Sequence, residues 1–242
     1  MNYNSAEYSP KLLARIGGIA YLIIIVTGLF GEMFVRNSMI VSGDPVTTAK
    51  NIVASPLLWR LGITGDLIMH VCDAITMVVF FVLLKTVNKN LALLALLFNL
   101  IQTAVLVANK MNLLMPVFLL GDADYLKVFD PKQLQALAYL YVKAHGYGFN
   151  IGLIFFGFVC LVYGYLIFKS GFFPRMLGVL MQVAGLSYLL DSFALIVAPS
   201  VASAMFPAIL LPPFVAELSL CLWMIIKGVD TAKWKLKAAN LS

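Results

Sequence analysis

Residues 65–73 read GDLIMHVCD. At 100° per residue, Asp66, His70 and Asp73 fall within about 60° of one another on a helix. They form one stripe roughly 10 Å long. Two carboxylates and an imidazole on one face can hold a cation, pass a proton or ligate a metal. Three more ionisable groups lie inside apolar runs: Lys110, Asp191 and Glu217. Counting about 1.5 Å per residue from the outer end of each run puts Asp66, Asp191, Glu217 and Lys110 at roughly 10 to 14 Å depth. An isolated charge there costs about 2.5–3.5 kcal/mol on insertion scales. The four groups are therefore predicted to converge on one cavity in the outer half of a helix bundle. One lysine cannot neutralise three carboxylates, so the surplus negative charge calls for a proton, a charged histidine, water or a bound cation. His70 is placed near the midplane. Asp73 lies nearer the cytoplasm, at the depth of Asn99 and Gln102, which extends the stripe into a polar track. Gln182 points away from Asp191 on its own helix.

A metal reading uses the same residues. Asp66 and His70 are four apart, so both reach one ion, and His145 would be the third ligand that catalytic zinc requires. The sequence places His145 near the outer interface, above His70, so no metal site is assigned and no cofactor is expected. Haem held by two histidines would need His70 and His145 at matched depth. The chain carries no nucleophile elbow, phosphate loop, dinucleotide-binding glycine pattern or kinase signature. Cys72, Cys160 and Cys221 are scattered, without zinc or redox spacing, and read as packing residues.

The elements that position these residues follow from composition. Of 242 residues, 62% are hydrophobic and 12% charged, against about 25% charged in soluble domains; mean hydropathy is +0.96. Runs of roughly 20 apolar residues span a bilayer as helices. Six runs qualify, at 12–35, 57–84, 91–120, 144–168, 176–198 and 209–226. The first lacks a cleavage site and reads as a retained helix. The expected fold is all-α: a single transmembrane domain over 1–242, a bundle of six transmembrane helices with two short outer helices. One is signalled by Asp44 and Pro45 as N-cap and first helical residue. The other, amphipathic, is signalled by Asp130 and Pro131, and is placed so as to run on into the fourth span. Prolines 199, 207, 212 and 213 kink or start the sixth. The GxxxG of Gly148 and Gly152 reads as close helix packing. Trp59, Trp223 and Trp234 read as an interfacial belt.

The net charge of +6 does not indicate nucleic acid, because its placement follows the positive-inside rule. Lysines and arginines crowd the short connections KTVNKN and KSGFFPR and the tail KWKLKAANLS. Arg36, Lys50, Arg60, Lys127, Lys132 and Lys143 are spread over longer connections diluted by aspartates. Both termini are then cytoplasmic, in the inner membrane of a bacterium, with the bilayer as partner and the tail anchored near anionic headgroups.

The segments ARIGGIAYLIIIVTGLFGE, ASPLLWRLGITGDLIMHVCD, VKAHGYGFNIGLIFFGF, FKSGFFPRMLGVLMQVAGLSYLLDSF and PFVAELSLCLWMIIKG run in order across nearly the whole chain. Together they resemble the bacterial membrane-protein family known as domain of unknown function 4386. The resemblance implies a multi-pass membrane protein. It directs attention to Glu32, Asp66, Asp73, His145, Arg175, Asp191 and Glu217, and implies no activity, cofactor or partner. The leading expectation is a non-enzymatic protein that binds or moves a small cation, a proton or an amphipathic molecule. The alternatives are a membrane-embedded metal-dependent hydrolase of lipid-like substrates, with Asp66, His70 and His145 as ligands, and a structural or regulatory subunit. No oligomeric state follows from the sequence.

Overall fold

The computed structural model describes residues 9–239. Among them the chain is helical, with no strand. Six helices are long and apolar enough to cross a membrane: α1 (Pro10–Met39), α3 (Pro56–Leu84), α4 (Lys89–Leu119), α5 (Pro131–Ser170), α6 (Arg175–Val197) and the stretch Ala208–Ile226, whose α-helical part is α8 (Leu211–Ile226). Shorter helices are α2 (Pro45–Ala54), α7 (Pro199–Met205) and α9 (Thr231–Ala239). The chain is a multi-pass helical membrane protein by these spans. The six runs expected from hydropathy are all present.

The helix starts follow local chemistry. Asp44 caps α2: its carboxylate accepts from the Thr47 backbone N–H at 2.9 Å and from the Thr47 hydroxyl at 2.6 Å, with Pro45 in the first turn. The hydroxyl and amide of Thr47 hold the Asp44 carboxyl below its usual range. Asp130 caps α5 by accepting from Lys132 N–H, while Gln133 accepts from the Asp130 N–H, a reciprocal box that closes two orphan donors. The amphipathic outer helix and the fourth span are one uninterrupted helix of 40 residues, so α2 is the separate short helix of the expected pair. Gly43 takes φ +79 in the turn before α2, a conformation that favours glycine, and its N–H donates to the Tyr139 hydroxyl at 2.6 Å.

The chain forms two compact units. One comprises residues 24–71 and 104–149. Its core is Val35, Met39, Ile52, Trp59, Ile63, Leu113 and Val142. Trp59 is buried, and its indole N–H donates to the Leu113 carbonyl at 2.8 Å; it is a core residue and not part of an interfacial belt.

The other unit comprises residues up to 23, 72–103 and 150 onwards. There α5 and α6 pack through two glycine pairs. A Cβ on Gly185 would lie 2.7 Å from the Gly157 carbonyl oxygen, and one on Gly178 would lie 2.6 Å from that of Gly164. The pairs are seven residues apart on each helix. Small residues let helix backbones meet where no hydrophobic force drives association. Trp234 of α9 is buried too, donating to the Leu83 carbonyl at 3.1 Å. All three cysteines are free and buried, as their spacing implied.

Candidate functional site: a buried charge centre around Asp66

Asp66 on α3 is fully buried. Arg36 of α1 grips it with two nitrogens: Nη1 donates to Oδ2 at 2.8 Å and Nη2 to Oδ1 at 3.4 Å. Lys110 of α4 donates to the same Oδ2 at 2.9 Å. The Arg36 Nε donates to Glu32 Oε2 at 2.7 Å. Arg36, Asp66 and Lys110 are buried, whereas the Glu32 side chain is 57% exposed. The buried part of the centre therefore holds two cations and one anion, and an exposed carboxylate balances the remainder.

Two of the three helices depart from regular α geometry where they contribute, whereas α3 is regular through Asp66. Residues Phe30–Arg36 form a π-helical turn, wider than an α turn and common at functional sites. Gly31 lies within it, and a Cβ there would sit 2.7 Å from Asp66 Oδ1 and 3.0 Å from Arg36 Nη2. The carboxylate thus occupies space that only glycine leaves open. Helix α4 breaks at Lys110: its N–H bonds Val107 O, three residues back, and its own carbonyl accepts from both Leu113 and Leu114. Pro116 follows and has no N–H to offer the carbonyl four residues back. The Asn112 side chain donates to Asn109 Oδ1 at 2.8 Å, and Asn109 donates to the His145 carbonyl at 2.9 Å. Gly148 makes room for that amide, since a Cβ there would meet Asn109 Oδ1. Lys110 Nζ also lies 5.9 Å from the Phe149 ring centroid.

The residues singled out by sequence are distributed as follows. Asp66, Lys110 and Glu32 belong to this centre. His145 is buried beside it, its ring stacked on Phe149, with Nε2 lacking a hydrogen-bond partner. His70 is buried in the same unit. Asp73, Asn99 and Gln102 are buried in the other unit, which also holds Asp191 and Glu217. Asp191 is half-buried. Arg175 is exposed at the start of α6, its guanidinium over the Phe168 ring. Asp66, His70 and His145 do not form a three-ligand set, and no such set occurs among the described residues. The Asp66 oxygens are taken by Arg36 and Lys110.

Arg36 is the residue that sequence reasoning placed elsewhere, in a connection outside the first span. The surplus negative charge expected around Asp66 is absent as a result: two cations meet this carboxylate. The four-residue spacing of Glu32 and Arg36 was the available signal.

The fold and site define a class: a helical multi-pass membrane protein with a buried Arg–Asp–Lys centre, its two cations at irregular points of α1 and α4. The chain belongs to the family described as Domain of unknown function (DUF4386), whose model matches residues 16–228. It is also similar to an uncharacterized protein of the archaeon Archaeoglobus fulgidus, 25% identical over 166 residues, which are 69% of this chain and 83% of that protein. That relative is archaeal, so the comparison does not tie the chain to bacteria. No solved structure matches significantly.

Proposed function

We propose that the Asp66 centre binds an amphiphile with an anionic headgroup. One observation carries the reading: Arg36 and Lys110 both bond Asp66 Oδ2, so the buried groups sum to one positive charge, and only the exposed Glu32 offsets it. A buried net charge needs a counter-ion. Glu32 is the accessible member of the centre, and the residues around it on α1 are the exposed apolar Leu29, Met33 and Phe34. In a membrane protein such a surface faces lipid, so a ligand that reaches Arg36 from that side brings an apolar tail. Arginine suits a phosphate or carboxylate head because its planar fork presents paired donors. This replaces a small cation with an anion as the favoured ligand and keeps the amphipathic molecule. The inner membrane and cytoplasmic termini, from the charge distribution, complete the proposal.

The test compares the melting temperature of the purified full chain with dodecyl phosphate, dodecanol and dodecylammonium. A ligand that binds only the folded state raises it. The alkyl phosphate should stabilise the protein most, and the effect should vanish in Lys110→Met. Equal stabilisation by all three, or preference for the ammonium, would refute the reading.

A further inference from the structure

The other unit contains a carboxylate with the opposite surroundings. Glu217 on α8 accepts a hydrogen bond from the Tyr188 phenol of α6, and the Tyr21 phenol of α1 faces the same carboxyl group. Cys160 of α5 and Asp73 of α3 also interact electrostatically with it. None is cationic, and among the described residues no lysine, arginine or histidine forms an ion pair with Glu217. Phe156 packs against the Tyr188 ring, with centroids 5.5 Å apart. We propose that Glu217, Tyr21 and Tyr188 form an exchangeable proton-binding site.

An ionised carboxylate among apolar helices needs a positive counterpart or a full set of donors. Two phenols supply donors and no charge. A proton is the cation that fits with no cavity beyond the carboxyl itself. A phenol hydroxyl donates to the ionised group and accepts from the neutral acid. The same side chains therefore satisfy Glu217 in both states, and the proton can come and go without repacking α1, α6 or α8. This site is independent of the Asp66 centre, so it stands or falls separately from the anionic-ligand reading.

The test is infrared spectroscopy of the full chain in phosphatidylcholine vesicles, scanned from mildly acid to mildly alkaline pH. A protonated-carboxyl stretch should be present at low pH, disappear in one titration step as pH rises, and move on transfer to heavy water. It should be missing in Glu217→Gln and retained in Asp191→Asn. Tyr188→Phe removes a hydrogen bond that is stronger to the ionised carboxylate than to the neutral acid, so its titration midpoint should shift upward. This second variant tests the idea even if Glu217→Gln fails to fold. A Glu217 band that does not titrate or exchange overturns the proposal. So does a spectrum in which wild type and Glu217→Gln match at every pH, or an unmoved midpoint in Tyr188→Phe.

Discussion

At the residue scale, the two cations on Asp66 are unequal. Arg36 contacts both carboxylate oxygens and Lys110 only one. Asp66→Asn would leave two buried cations facing each other, and breaking a buried pair in this way costs about 3–5 kcal/mol. Lys110→Met leaves the Arg36–Asp66 pair intact and neutral. We therefore expect Asp66→Asn to lower thermal stability far more than Lys110→Met, and a larger loss from the lysine change would show that Arg36 does not hold Asp66 as described. Gly31→Ala puts a Cβ 2.7 Å from Asp66 Oδ1, so it should destabilise by about 1–3 kcal/mol, the usual cost of overpacking. Gly146→Ala, which meets nothing within 4 Å, is the matched control in the same melting experiment. Three of the four residues of this centre were named from the sequence, Glu32 through the family resemblance. Asp66 and Lys110 stood out because charge inside an apolar run is costly. Arg36 did not, because it sits where an apolar run ends, and hydropathy reads such a residue as a loop cation. It meets Asp66 from the end of a π turn, and periodicity does not reveal a π turn.

At the element scale, spans were legible because about 20 apolar residues have no other use in a chain of this composition. Their junctions were less so. The fourth span and the helix before it are one helix, since no proline follows Pro131 within it and it ends at Ser170, before Gly171 at φ +74. The glycine pairs of α5 and α6 were missed because each pair takes one glycine from each helix, whereas Gly148 and Gly152 advertise a motif on one. Gly148 in fact accommodates Asn109. Gly164→Leu should separate α5 from α6, and thermal unfolding should show a loss well beyond that of Gly146→Ala; retained stability would mean that the close backbone contact is dispensable. The α2 cap carries a pH dependence. The Asp44 carboxyl is held below its usual range by Thr47. Its contribution is therefore present above the unfolded-state pKa and lost as pH falls through the folded one. Protection factors of α2 amides, taken against the intrinsic exchange rate at each pH, should fall on acidification in wild type and be low at every pH in Asp44→Ala. Equal protection in both proteins would exclude the cap as the cause.

At the scale of the whole molecule, six spans put both termini on the same side of the membrane, and the lysine-rich tail of α9 predicts the cytoplasmic side. Single cysteines placed at 122 and 235, in a background lacking the native cysteines, should label oppositely with a membrane-impermeant maleimide in intact cells. Labelling of the tail from outside would reverse the assignment. The central claim concerns what the Asp66 centre accepts. Glu32 is the carboxylate that a ligand headgroup would displace from Arg36. Titrating dodecyl phosphate into the purified chain and into Glu32→Gln measures this competition directly. Removing the internal competitor should tighten binding by about tenfold, or about 1.4 kcal/mol. Unchanged or weaker binding to Glu32→Gln would contradict the account.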